Sequence, residues 1–257
     1  MEDEHVSDEF IDDLIWSTHT RLERQGPGSR EMTINALNFL GDLSKITKVL
    51  DLGCGTGGQT MVLAQNIPGS ITGVDIYPGF IDVFNENAKK LNLHERVNGI
   101  VGSMDNLSFK KEEFDIIWSE GAIDGIGFEK CLAYWHGFLK TNGYIAVTSP
   151  SWLTNDYPVE IEKFWVDAGS EGLNIIGNNI ATMQKCGYSF VASFTLPEKC
   201  WTENYFIPRE AAEKELLEKY IWNKIVNDYM QSSRHEIELY SKYKQYYGYV
   251  FYIGKRL

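Results

Sequence analysis

Asp51-Leu52-Gly53-Cys54-Gly55-Thr56-Gly57-Gly58 follows the apolar pair Val49-Leu50 and runs into a helical pattern carried by Met61, Leu63 and Ala64. Glycines in this density let a chain turn sharply from strand to helix, and let a ligand approach main-chain atoms that a Cβ would obstruct. The helix behind them offers unpaired N–H groups. Downstream, Ile71 to Val74 reads as a second strand ending at Asp75, Phe80 to Leu91 as a helix, and Val97 to Val101 as a third strand. Phe114 to Trp118 is a fourth strand. Phe128 to Leu139 reads as a helix stopped by Asn142-Gly143, ahead of a fifth strand from Tyr144 to Thr148. A helix near Ile180 to Cys186, a sixth strand from Tyr188 to Thr195 and a closing strand from Tyr249 to Ile253 complete the pattern. Strands alternating with helices predict an α/β fold with a doubly wound, mostly parallel sheet.

Upstream, residues 8–22 carry Phe10, Leu14, Ile15 and Trp16 at helical spacing, and Gln25 to Ser29 breaks the pattern before a second helix through Met32, Ala36, Leu37 and Leu40. Near the other end, Pro208 suits the first turn of a helix reaching Tyr229. Ser233 with Glu236 has the spacing of a capping box for one more helix, reaching Tyr247 and stopped by Gly248. The expectation is one domain over 1–257: an N-terminal helical appendage over 1–28, a core over 29–196, a helical insertion over 197–247 and a last strand over 248–257.

The chain has 257 residues and a net charge of −12. That balance argues against nucleic acid as the main partner, since phosphate neutralisation needs clustered Lys and Arg. No apolar run reaches the length that crosses a bilayer. The acidic start, Met1-Glu2-Asp3-Glu4, lacks the basic and apolar character of a secretory signal, so the expected location is cytoplasmic. Cys54, Cys131, Cys186 and Cys200 form no CxxC pair and read as reduced, mostly buried thiols. The acidic runs at 8–13 and 210–218 read as solvated helix faces, and no metal site is expected.

Two ligands fit the glycine spacing. Gly53, Gly55 and Gly58, with Asp75 downstream, satisfy the dinucleotide fingerprint G-x-G-x-x-G. Asp51, at the end of a buried strand two residues before the first glycine, separates the readings. A pyrophosphate gains nothing from another negative charge there, whereas a ligand carrying an ammonium and a sulfonium does.

Val49 to Gly58 resembles the first motif of the class I S-adenosylmethionine-dependent methyltransferases, acid-x-G-x-G-x-G, and the resemblance continues in order from about Thr47 to Thr148. It implies a seven-stranded Rossmann-like sheet whose last strand lies antiparallel between strands five and six. It also implies S-adenosyl-L-methionine as cofactor, with Asp51, Gly53, Gly55 and Gly57 at the glycine turn, Asp75 at the ribose, and Ile76 among the cofactor-binding residues. Gly102-Ser103-Met104-Asp105-Asn106-Leu107 resembles the adenine-side motif G-D-x-x-x-L. Ser103 stands where Asp is usual, with its hydroxyl toward the adenine amino group, and Met104 presents an N–H and an apolar face to the ring. The Gly26-Pro27-Gly28-Ser29-Arg30 loop resembles the one that touches the methionine carboxylate, through Ser29 or Arg30.

Methyl transfer is an in-line displacement at a carbon already activated by a sulfonium, so positioning and shielding from water matter more than a catalytic motif. Strand four ends in Ser119-Glu120-Gly121-Ala122 rather than the Asn/Asp-Pro-Pro-Tyr/Phe that often marks family members acting on amide or aromatic amine nitrogen. Glu120 is the candidate catalytic residue, able to bind the methionyl ammonium, orient a cationic acceptor or act as base. His19 and His136 read as surface and packing histidines. The aromatics Trp152, Tyr157, Phe164, Trp165, Trp201, Tyr205 and Phe206 suit an acceptor pocket or, one by one, the core. The expected function is transfer of a methyl group to a small-molecule acceptor. The alternatives are an S-adenosylmethionine-binding protein without turnover and an NAD(P)-dependent oxidoreductase.

Overall fold

The computed structural model describes residues 16, 18–41, 43, 47–167 and 172–257. The expected helix over residues 8–22 lies mostly outside them. All seven expected strands form one sheet: β1 (Lys48–Leu52), β2 (Ser70–Asp75), β3 (Val97–Val101), β4 (Phe114–Ser119), β5 (Leu139–Trp152), β6 (Tyr188–Thr195) and β7 (Tyr247–Arg256). Their order is β3-β2-β1-β4-β5-β7-β6. The first five are parallel, and β7 runs antiparallel to both β5 and β6. The helices are α1 (Arg30–Leu37), α2 (Gly58–Asn66), α3 (Pro78–Lys90), α4 (Phe128–Trp135), α5 (Val159–Asp167), α6 (Ile176–Lys185), α7 (Ile207–Lys219) and α8 (Lys224–Tyr243).

Successive β1 residues feed different layers. Val49 packs with Leu63, Phe84 and Trp118 in one cluster, while Leu50 and Leu52 pack with Ile117, Leu132 and Trp135 in another. Both clusters are buried, as for parallel strands covered on two faces. The order of strands reverses between β1 and β4, where β1 is flanked by β2 on one side and β4 on the other. Such switch points open a crevice beyond the carboxyl ends of the strands, and the glycine loop leaves β1 there.

Phe84 of α3 joins helix to sheet. Its ring is fully buried and occupies space that side chains at three glycines would need. A Cβ would lie 2.7 Å from the ring at Gly73 of β2, 2.7 Å at Gly99 of β3 and 2.8 Å at Gly57 of the loop. Those glycines are required for close approach to α3.

Several boundaries differ from the sequence reading. The helix beginning at Phe128 ends at Trp135, and β5 starts at Leu139; Asn142, at φ 65°, lies within a bulge of β5 instead of stopping a helix. The break in the C-terminal helical region falls at Tyr220 to Asn223, where the Asn223 side chain accepts from Val226 N at 3.1 Å. Ser233 and Glu236 therefore sit inside α8 and form no capping box. Gly248 lies in β7, not at a helix end. A short helical lead-in at Lys199–Trp201 and a π turn at Thr202–Phe206 run directly into α7.

Phe84→Ala is expected to lower the free energy of unfolding by about 3–5 kcal/mol, because it empties a site already ringed by glycines. Urea unfolding measures it, and a loss below about 1 kcal/mol would contradict the packing role.

Candidate active site

The glycine loop turns with Gly53, Gly55 and Gly57 at φ 69°, 53° and 87°. Its N–H groups all have protein acceptors. Gly53 and Cys54 donate to Val74 O at 2.9 and 3.1 Å, and Gly57 donates to Cys54 O at 3.0 Å. Gly55 donates to Asp75 Oδ2 at 2.9 Å, and Thr56 to Gln25 Oε1 at 3.0 Å. A loop that cradles a diphosphate does so with free amides. This loop has none between Gly53 and Gly57.

The loop borders a cleft of about 920 Å³ at the switch point, whose walls include Gly53, Gly55, Asp75, Ile76, Ser103 and Met104. Six of the expected cofactor residues thus share one cavity, and Glu120 reaches it too. Asp75 ends β2 with Oδ1 accepting from Tyr77 N at 3.0 Å and Oδ2 accepting from Gly55 N. Each oxygen keeps a lone pair for a ligand hydroxyl. Burial raises its pKa above the ordinary carboxylate value, against the lowering effect of those backbone donors. At the far side, Trp135 Nε1 donates to Met104 O at 2.8 Å and fixes the Met104 backbone. Asp105, not singled out from the sequence, also lines the cavity and accepts a hydrogen bond from Ser103. Trp16, Tyr77 and Phe80 close the wall as an aromatic group with centroid spacings of 4.9–6.0 Å.

Asp51, Gly57 and Ser29 are not among the residues that line the cleft. Asp51 is fully buried and sits behind Gln59, whose amide donates to it at 3.2 Å and whose side chain, not that of Asp51, lines the cleft. Thr60 donates to the same carboxylate. Desolvation pushes the pKa of Asp51 up to about 7, with those two donors opposing the shift. Gly57 is a packing glycine under Phe84. Ser29 is the N-cap of α1, accepting from Met32 N at 3.2 Å, and it lies off the cavity wall because its hydroxyl is taken by the helix.

Arg24, and not Ser29 or Arg30, lines the cleft from the segment before α1. It is 6% exposed, and donates to Glu120 Oε2 at 2.7 Å and to Thr33 Oγ1 at 3.0 Å. Its Nε is buried without a hydrogen-bond partner. Glu120 in turn accepts at Oε1 from Thr33 Oγ1 and Trp118 Nε1, both at 2.8 Å. Both oxygens of the Glu120 carboxylate are thus taken up by Arg24, Thr33 and Trp118. Gln25 staples the same segment to the glycine loop by donating to Thr56 Oγ1 at 3.0 Å. Arg24 and Gln25 carry no sequence motif; only their tertiary partners reveal them. Arg30 pairs with Gln65 near the surface.

His19 is 9% exposed, not a surface residue, because Tyr229 hydrogen-bonds its ring at 3.1 Å. His136 packs edge-on against Tyr188. Trp152, Trp201 and Phe206 are core, with Tyr157 and Tyr205 packed on them.

Two outcomes test this electrostatics. Glu120→Ala strands a buried guanidinium and is expected to cost about 3–5 kcal/mol, most of it recovered in the Arg24→Met/Glu120→Leu double variant; additive losses in a denaturation cycle would contradict the pairing. For Asp51, the folded state binds a proton that the unfolded state has lost between about pH 4 and 7, so its stabilising contribution falls as pH rises through that window. Asp51→Asn removes this slope, and its stability relative to wild type is expected to improve from about pH 5 to about pH 8. Parallel pH profiles in urea unfolding would refute the shift.

Residues 43–218 match the family model of a methyltransferase domain. Among curated relatives, phosphoethanolamine N-methyltransferase 3 of Arabidopsis thaliana is 29% identical over 53% of this chain and 28% of its own length. Sterol 24-C-methyltransferase of Debaryomyces hansenii is 27% identical over 58% of this chain and 41% of its own length. The chain thus spans less than half the length of these relatives. A methyltransferase from Geobacter sulfurreducens, solved with S-adenosyl-L-homocysteine, superposes with a TM-score of 0.79 at 20% identity, covering 95% of this chain and 98% of that one. YjhP from E. coli superposes with a TM-score of 0.80 at 18% identity, covering 95% and 99%. Family membership and the closed loop amides together set aside the nicotinamide reading. The chain belongs to the class I S-adenosylmethionine-dependent methyltransferase family.

Proposed function

We propose that this protein transfers a methyl group from S-adenosylmethionine to a small-molecule acceptor, in the cytoplasm. The observation that carries the reading is a cleft with the Asp75 carboxylate on one wall and the buried Arg24 guanidinium on another. Between them lies a glycine turn whose amides are closed to an anion. The residues fit the donor end to end. Asp75 would accept from the ribose hydroxyls, Ile76 and Met104 would flank the adenine, and Ser103 or Asp105 would face its amino group. Arg24 would take the methionyl carboxylate, with Gln59 beside it.

The donor supplies a methyl group already activated by positive sulfur; the work left to the chain is to bind, orient and exclude water. Glu120, Thr33 and Trp118 act as positioning residues, since they fix the guanidinium in a desolvated site where its field is strongest. Relatives act, by name, at nitrogen, carbon and oxygen atoms. From them the reading takes only the acceptor's class, a small molecule.

A screen of metabolites with isotopically labelled methyl donor is expected to yield labelled product and S-adenosylhomocysteine; tight donor binding with no turnover on any acceptor would mark a sensor instead. Asp75→Ala is expected to weaken S-adenosylhomocysteine binding about tenfold to a hundredfold, for about 1.5–3 kcal/mol of lost charge-assisted bonding. Unchanged affinity by calorimetry would remove Asp75 from the site.

A further inference from the structure

Among the described residues, the side chains charged at neutral pH that line the donor cleft are Asp75, Asp105 and Glu120 against Arg24. Arg24 is paired with Glu120 at 2.7 Å, and Asp105 is exposed, so water screens it. His19 stands behind Trp16, with ring centroids 6.1 Å apart, and is turned to Tyr229. A further acid, Asp51, lies one side chain behind the wall. Gln59 lines the cleft and donates to Asp51 at 3.2 Å.

Asp51 is fully buried. Its donors, Gln59 and Thr60 of α2, are neutral. On either side, β2 and β4 set Gly73 and Trp118 in register with it, and neither ionises. In the loop, burial and then Asp51 itself hold the Cys54 thiol protonated. Beyond desolvation, which dominates, the charges that reach Asp51 are Glu120, which raises its pKa, and Arg24, which opposes with a smaller effect. A carboxylate so desolvated is expensive without a cation nearby. With little water around it, its field also carries further than that of a surface charge.

The two ligands that the proposed reaction exchanges differ in charge at one atom. S-adenosylmethionine carries a sulfonium and S-adenosylhomocysteine a neutral thioether, while both share the ammonium and the carboxylate. We propose that Asp51 tells donor from product: its carboxylate, acting across Gln59 without contact, favours the cationic sulfonium over the neutral thioether. This role rests on the donor assignment above and extends it to the exchange of product for fresh donor. Each turnover removes the positive charge from sulfur, so the attraction that holds the donor is gone when the product leaves. A nearby cation favours the ionised carboxylate, so donor binding lowers the pKa of Asp51 and expels a proton. Desolvation sets that pKa at about 7 in the free protein, so the preference for donor grows as pH rises through neutrality.

Calorimetric titration of the full chain with each ligand, in wild type and Asp51→Asn between about pH 5.5 and 8.5, tests it. At about pH 8 the ratio of donor to product affinity is expected to fall about tenfold in Asp51→Asn. In wild type that ratio is expected to rise about fivefold to tenfold across the pH range, beyond any change in the variant, which meets the same ligand titrations. Should the variant unfold, wild type carries the test through proton release, measured in buffers of different protonation enthalpy. At about pH 6.5 the donor is expected to release about half a proton more than the product. An affinity ratio that is the same in both proteins, or equal proton release by both ligands, would overturn the role of Asp51 alone. Binding of neither ligand to wild type would refute the donor assignment and this role with it.

Discussion

The structure of the site depends on where the glycine loop sends its hydrogen bonds. Five consecutive amides, Gly53 to Gly57, end on Val74 O, Asp75, Gln25 and Cys54 O. The same glycine spacing with free amides would be an anion cradle; with these amides satisfied, the turn is a rigid wall. Asp75 is the hinge of the arrangement. One of its oxygens locks the loop through Gly55 N and the other fixes the start of α3 through Tyr77 N, yet each keeps capacity for a ligand. Anchoring and recognition thus fall on one side chain.

The second constraint is the burial of charge across the cleft. Arg24 and Glu120 are 96 residues apart in sequence, and their pairing fastens the segment before α1 to the end of β4. A pair this desolvated is held by its hydrogen bonds to Thr33 and Trp118 as much as by charge, since Coulomb attraction alone does not offset dehydration. Gly28 gives the pair room: a Cβ there would lie 3.0 Å from Arg24 NH1 and 3.3 Å from Glu120 Oε2. The loop containing Gly26 and Pro27 is therefore shaped by the ion pair it covers.

The sheet was legible because each strand is a short apolar run closed by a turn signal, and periodicity of that kind survives tertiary context. Asp75 was legible for the same reason, as an acid that ends such a run. Arg24 was not, because nothing local marks it; its role exists only through Glu120 and Thr33. Asp51 was read as a carboxylate needing partners, and within the protein those partners are Gln59 and Thr60 of α2. Ser233 and Glu236 show the opposite error. Their spacing matches a capping box, yet Glu213 takes the Ser233 hydroxyl and Arg209 takes Glu236, while the cap itself fell to Asn223. Long-range polar contacts overrode a local motif in each case.

With its amides closed, the turn after β1 is expected to admit a sulfonium nucleoside and refuse a diphosphate. Parallel calorimetric titrations of the wild-type chain with S-adenosylhomocysteine and with NAD address it most directly. Saturable, one-to-one binding of S-adenosylhomocysteine is expected, with no measurable heat from NAD. Saturable NAD binding with S-adenosylhomocysteine excluded would contradict it.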